Sequence, residues 1–198
     1  MHKLVWKLKV WVGKAQRILL QSVFKFDNWH IYTLTEKKYA RDIIAYCNSR
    51  TVRNIFTEIG CGLGDIVRHV QYKQRFGLDA DEKSLKAARF LGLVAAGDKI
   101  HFSLFTFPDS PLPGKYDVIV LVNWIHHIDP VVLKSSIRFY FENALNPGGD
   151  IIIDTVQDPE YKFNHDIVIL TEGLASVVRK LGSYEREREV WLINKSET

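Results

Sequence analysis

Three glycines at alternate positions, Gly60, Gly62 and Gly64, stand between an apolar run (Ile55, Phe56, Ile59) and residues at helical spacing (Ile66, Val67, Val70). Strand, glycine turn and helix in that order make room for a nucleotide at the carboxyl end of a strand, because main chain without a Cβ can bend sharply and approach a ligand closely. Glu58 precedes the turn, and Asp79 ends the next apolar run, 19 residues beyond Gly60. A carboxylate there can accept hydrogen bonds from both ribose hydroxyls. The dinucleotide fingerprint needs a glycine three residues after Gly62, where this chain has Asp65. The spacing therefore favours a nucleoside ligand over a dinucleotide and disfavours a dehydrogenase.

A second set of residues could move protons. His126 and His127 follow an apolar run at 118–122, and His165 follows a run near 150–156. Both positions fall at the carboxyl edge of a sheet, where open α/β folds bind ligands. Histidine, with an ordinary pKa of about 6.5, suits a general base at neutral pH. The competing reading is that the His pair caps and packs its loop and that His165 is a surface-loop residue. Asp154 or Asp158 could orient the ring of His165, with Asp166 capping the following helix. Trp29, His30 and Tyr39 could roof a pocket or belong to the core.

The elements that must position these groups alternate as βα units. Strands are predicted at 54–59, 75–79, 100–104, 116–122 and 150–156, and helices at 64–72, 82–95, 131–145 and 167–181. Asp129-Pro130 reads as a helix start, with Asp as cap and Pro in the first turn. Pro147-Gly148-Gly149 breaks the chain before the fifth strand. A helix is expected to begin near Thr35, where Thr33 and Glu36 have capping-box spacing. The fold class is α/β, a Rossmann-like, mostly parallel sheet with helices on both faces. A shortened carboxyl-terminal edge is expected, because residues 183–195 offer no glycine or proline turn after Gly182.

With 198 residues, 46% of them apolar, the chain suits a domain with a sizeable core. Only two cysteines, Cys47 and Cys61, argue against a disulfide framework, and the start shows no signal-peptide pattern. A cytoplasmic location is expected. Six basic residues and no acidic one precede Asp27, so the net charge of +4 belongs to the amino-terminal segment and the rest is nearly neutral. That argues against a nucleic-acid groove in the body. Residues 3–20 have a helical period (Leu4, Leu8, Trp11, Ala15, Ile18, Leu19) with lysines largely on another face. The favoured reading is a helix packed over the sheet that helps close the site. Weak contact of residues 1–20 with an anionic membrane surface, at its inner face, is the alternative.

The string Glu58-x-Gly60-x-Gly62-x-Gly64 resembles motif I of the class I S-adenosylmethionine-dependent methyltransferases, which have no pyrophosphate to cradle. Asp117-Val118-Ile119-Val120-Leu121-Val122-Asn123 and Leu145-Asn146-Pro147-Gly148-Gly149 extend the resemblance across roughly residues 36–194. More narrowly, Phe26-Asp27-Asn28-Trp29-His30, Val122-Asn123-Trp124-Ile125-His126-His127 and Tyr161-Lys162-Phe163-Asn164-His165-Asp166 resemble bacterial methyltransferases of surface-polysaccharide biosynthesis.

The resemblance implies a basic helix and lid segment over residues 1–34 and an S-adenosylmethionine-binding domain over 35–198. It implies cofactor contacts from Glu58, Gly60, Cys61, Gly62, Gly64, Asp79, Ala80 and Asn123, and catalytic candidates in His126, His127 and His165. The acidic residue that often meets adenine after the third strand is missing, since that region reads Ser103-Leu104-Phe105-Thr106. Aromatic packing from Phe105 or Phe107 and main-chain groups would serve instead. The implied reaction is methyl transfer to a small-molecule acceptor, a hydroxyl of a sugar or glycan intermediate. An amine acceptor and a non-catalytic nucleoside-binding partner subunit are the alternatives. No metal is implied, because Asn123 and Asp154 are a thin basis for a ligand set, and the Asn-Pro-Pro-Tyr motif of nucleobase methylation is absent.

Overall fold

Tyr116–Leu121 (β4) is buried at every position, as a strand covered on both faces must be. A computed structural model of the protein describes residues 2–94 and 100–196. β4 lies at the centre of a seven-stranded sheet of order β3-β2-β1-β4-β5-β7-β6. The other strands are Ile55–Ile59 (β1), Gln74–Asp79 (β2), Ile100–Leu104 (β3), Leu145–Thr155 (β5), Ser176–Tyr184 (β6) and Arg188–Lys195 (β7). β1 to β5 are parallel, and β7 runs antiparallel to both β5 and β6.

Alternate residues of β4 face opposite sides. Val118 and Val120 join a core with Ala40, Ile43 and Cys47 of α2 (Lys38–Ser49). Ile119 and Leu121 join another with Leu133 and Ile137 of α4 (Pro130–Phe139). Asp129 caps α4 by accepting the Val131 N–H at 2.9 Å. Its last turn widens into a π-turn at Tyr140–Ala144.

The elements depart from expectation in several places. The carboxyl-terminal edge is complete, not shortened. The β6–β7 turn is made without glycine or proline, because Arg186 and Glu187 take the left-handed conformation (φ 59° and 50°). The helix expected at 167–181 is the short α5 (Ile167–Thr171), and Ser176 onward pairs with β7 instead. Non-local pairing of β-branched Val177 and Val178 overrides the local pattern there.

Residues 62–69 form successive turns rather than a regular helix. Arg68 and Val70 still make i→i+4 bonds to Gly64 and Ile66, but the Val67 N–H goes to the Glu58 carboxylate at 2.9 Å. β5 starts at Leu145, ahead of the expected break, and the Pro147-Gly148-Gly149 stretch appears as a register shift opposite Tyr116 and Val118. The Thr33–Glu36 pair forms a local turn, with Thr33 N–H donating to Glu36 at 3.0 Å, and α2 begins later, at Lys38.

The helix Glu82–Val94 is α3; Ala95, its expected end, lies outside the described residues. The amino-terminal helix, His2–Phe24 (α1), packs chiefly against α3 and the 3₁₀ turn Asn28–Ile31. Side chains of Lys3 and Leu4 lie outside the description. Leu20 of α1 packs with Phe26, Leu63, Ala87 and Leu91. The expected packing of α1 over the sheet is thus replaced by attachment through one edge, with much of its apolar surface outward.

Candidate active site

Strand order reverses between β1 and β4, one neighbour leading to β2 and the other to β5. Such a switch point leaves a crevice at the strands' carboxyl ends. A cavity of about 310 Å³ opens there, lined by Gly60 after β1, Asp79 and Ala80 after β2, Phe105 and Phe107 after β3, and Asn123 and Trp124 after β4. A smaller cavity of about 50 Å³ shares Gly60 and Asn123 and continues past Glu58, Cys61 and Gly62.

The glycine turn is required by conformation and by neighbours. Gly60 and Gly62 have φ of 73° and 52°, a region that disfavours side chains. A Cβ on Gly60 would lie 2.2 Å from the indole nitrogen of Trp124, and one on Gly62 2.5 Å from the ring of His30. Gly64 (φ 75°) packs against Phe102 instead of a cavity. The amides of Gly60 and Cys61 both donate to the carbonyl of Leu78, at 2.7 and 3.0 Å, tying the turn to β2. The Cys61 thiol is buried beside Gly77, and burial holds its pKa well above the ordinary thiol value.

The acidic groups differ in how they are held. Asp79 accepts the Gly62 N–H at 2.7 Å on one oxygen and the Asp81 N–H at 2.9 Å on the other. Lone pairs remain on both oxygens for a ligand at the cavity wall. Glu58 is buried, and burial pushes its carboxyl up to about 8 despite the bond from Val67. It is therefore largely neutral at pH 7 and would ionise readily beside a cation. Asp65 is buried too, which alone would raise its pKa, but Lys37 and Arg17 hold it far below the carboxylate range. Arg17 reaches it at 2.5 Å, Lys37 at 3.0 Å and Arg68 at 3.4 Å.

Asn123 takes a left-handed conformation (φ 74°), and its N–H donates to Asp154 at 2.9 Å. Asp154 also pairs with Arg188, so it braces the β4 loop rather than the ring of His165. Trp124 donates to the Ile59 carbonyl at 2.7 Å and meets Phe107 edge to face at 5.1 Å. Together with Phe105 and Trp29 these rings give the larger cavity aromatic walls.

The histidines fall into two groups. His126 is buried against Tyr161 (ring centroids 3.8 Å apart), and burial lowers its pKa to about 4. His165 is also buried and bonds to the Ile125 carbonyl at 2.9 Å; a carbonyl only accepts, so Nε2 carries the proton. Asp166 beside it caps α5 by accepting from Val168 at 2.7 Å. Neither ring lines either cavity. His127 is exposed, 6.5 Å from the Trp29 ring, and lines neither cavity.

His30 lines both cavities and lies on Gly62. Burial, then Lys37, lowers its pKa below 6.5. Sequence reasoning placed His30 only in a roof, and it missed Lys37 and Trp124. For Trp124 a signal existed in its place directly after Asn123. For Lys37 there was none, because its partner Asp65 is 28 residues away.

No protein-family model matches the chain. Over 133 residues it is 31% identical to the ubiquinone biosynthesis O-methyltransferase of Bordetella bronchiseptica, a stretch covering 65% of this chain and 53% of that protein. Over 145 residues it is 28% identical to the Bordetella parapertussis protein of that name, covering 63% and 60%. The chain thus spans little more than half the length of these relatives. The solved N-methyltransferase NodS of Bradyrhizobium japonicum WM9, in complex with S-adenosyl-L-homocysteine, matches with a TM-score of 0.69 at 16% identity, over 92% of this chain and 98% of that one. Magnesium protoporphyrin IX methyltransferase of Synechocystis PCC 6803, with bound S-adenosylmethionine, matches with 0.66 at 13%, over 96% and 97%. The fold is that of the class I S-adenosylmethionine-dependent methyltransferases.

Proposed function

We propose that this chain transfers the methyl group of S-adenosylmethionine to a hydroxyl of a small-molecule acceptor, a sugar or glycan intermediate, with His30 as the general base. One observation carries the reading. The bare main chain of Gly60, the Asp79 carboxylate and an imidazole of lowered pKa converge on one aromatic-walled cavity, with Gly62 lining the smaller cavity that shares Gly60 and His30.

The residues fit the cofactor chemically. Asp79 has acceptor capacity for ribose hydroxyls, Phe105 and Phe107 offer faces for an adenine, and Glu58 is a buried carboxyl that a nearby cation would ionise. Bound there, S-adenosylmethionine would supply an electrophilic methyl group. The chain's own task is alignment, which can contribute roughly 7–11 kcal/mol when reacting atoms are held about 3–3.5 Å apart. His30, neutral at pH 7, would accept the hydroxyl proton; burial, and after it the charge of Lys37, keeps the imidazole from binding a proton beforehand. Trp29 and Trp124 suit the apolar face of a sugar ring. In this reading residues 1–34 are a basic helix and lid segment over a cofactor-binding domain of residues 35–198, and the protein works in the cytoplasm.

Calorimetry with S-adenosylhomocysteine, followed by methyl-labelled cofactor with panels of sugars, lipid-linked glycans, phenols and amines, tests the proposal. Label in a sugar ether, lost in His30→Gln while cofactor still binds, is the expected result. Label in an amine or phenol would redefine the acceptor. No heat with the cofactor product from folded protein would overturn the reading.

A further inference from the structure

The solvent-facing side of α1 carries a long apolar stripe, with the exposed, uncharged polar residues Gln16 and Ser22 beside it. Val5, Leu8, Val12, Leu19 and Val23 fall at helical steps on one stripe, with Trp11, Ala15 and Ile18 beside them, and all eight are exposed. Trp11 is 69% and Leu19 68% exposed. Globular proteins turn this stripe inward, but here the inward edge is Arg17 and Leu20. Arg17 donates to the carbonyls of His30 (2.8 Å) and Tyr32 (2.5 Å) as well as to Asp65, so the helix cannot roll over without breaking a buried ion pair. The outward direction of the stripe is built in.

Charge selects what covers it. Lys7 and Lys9 flank the stripe and Lys25 directly follows the helix; all three are exposed, and no acidic residue lies in α1. A second copy laid face to face would bring these lysines against each other. An anionic bilayer accepts the apolar stripe in its headgroup region and neutralises the flanking lysines. No described helix is long and apolar enough to cross a membrane, which suits a helix lying in the interface.

We propose that α1 is a membrane-surface anchor, seating its Val5–Val23 stripe in the outer layer of an anionic lipid bilayer. Asp27, Trp29 and His30, which line the larger cavity, follow α1 directly. Seating the helix therefore sets the cavity mouth close to the headgroups, within reach of an acceptor that is itself lipid-borne. The anchor does not depend on methyl transfer, and its test reads lipid binding alone.

Sedimentation of the full chain with vesicles of phosphatidylcholine and phosphatidylglycerol is the experiment, alongside vesicles of phosphatidylcholine only. Binding to the mixed vesicles, weakened by salt and by removal of the anionic lipid, is expected. The triple substitution Leu8→Glu, Val12→Glu, Leu19→Glu should reduce partitioning at least about tenfold, with the far-UV spectrum and melting temperature kept. Should that variant not fold, bromine-labelled lipid chains give a second readout in unaltered protein, namely quenched tryptophan emission that Trp11→Phe diminishes. Wild-type protein left in the supernatant with mixed vesicles, or unquenched by brominated chains, would overturn the anchor. So would a dimer held by this face that ignores lipid.

Discussion

The two edges of the sheet carry buried acids in different states of completion. At the amino edge Asp117 accepts from the amides of Asn54 (2.6 Å) and Ile55 (2.9 Å) and from the Asn146 side chain (2.8 Å). Asp150, on the same edge, accepts from Tyr46 (2.7 Å) and Asn194 (3.0 Å) and pairs with Arg50. At the carboxyl edge Glu58 has one amide and no cationic partner within salt-bridge distance among the described residues, and Asp79 spends one lone pair per oxygen. Saturated acids join strands and helices together. Acids with capacity left over, next to empty space, are where a ligand can gain binding energy. Asp154 links the two behaviours: like Asp79 it spends one lone pair per oxygen, on the Asn123 amide and on Arg188, but one of its partners is a buried cation.

That contrast can be broken by substitution. The largest effect is expected at His30, where Gln should lower turnover by about 10²–10⁴-fold while the melting temperature barely moves. The wild-type rate should rise with pH to a plateau reached below the usual histidine range, because the His30 imidazole titrates low. Steady-state rates from acid to neutral pH check both statements. A plateau unchanged in His30→Gln would remove it as the base.

Asp150→Ala should do the reverse. It leaves Arg50 buried without its partner, a loss of about 3–5 kcal/mol by analogy with other buried pairs, and cofactor affinity of the folded protein should not change. Urea unfolding and calorimetry separate the two quantities. Arg188→Ala is expected to show a mixed result, lower stability together with weaker cofactor binding, because Asp154 would no longer hold the Asn123 amide in place.

The last predictions concern proton linkage. In the unfolded chain Glu58 ionises above about 4.5, but the folded carboxyl keeps its proton up to about 8. The folded state then binds more protons, so stability falls as pH rises from 4.5 to 8. Glu58→Gln should flatten this slope, read as melting temperature against pH. His126 acts on the acid side. Its folded pKa of about 4 lies below 6.5, so stability is lost as pH falls through that interval. His126→Phe should lessen that acid loss and leave turnover within about twofold.

Local signals located much of this protein. Strand, glycine turn and the acid of β2 were readable because each depends on neighbours within a few residues. The strand limits of β1 to β4 fall within a residue or so of expectation. Reading failed where distant partners decide. The 176–184 segment becomes a strand only by meeting β7, and the turn between them uses Arg186 and Glu187 in a conformation no local rule assigns to them. Phe105 and Phe107 were expected near adenine and do line the cavity. The imidazole that reaches that crevice precedes Gly62 by 32 positions, and spacing along the chain carries no record of such a meeting.

What the amino-acid order determined by itself was the βα alternation, the glycine turn and the charge of the amino-terminal helix. Backbone conformation and side-chain periodicity are properties of short stretches. What only the tertiary structure decided was which histidine meets the cavity, which acids keep spare capacity and which way the stripe of α1 points. Those outcomes depend on docking between segments far apart in sequence, as Arg17 on Asp65 and Glu58 on Val67 show. The free energy of such contacts exists only once both partners have been brought out of water into one place.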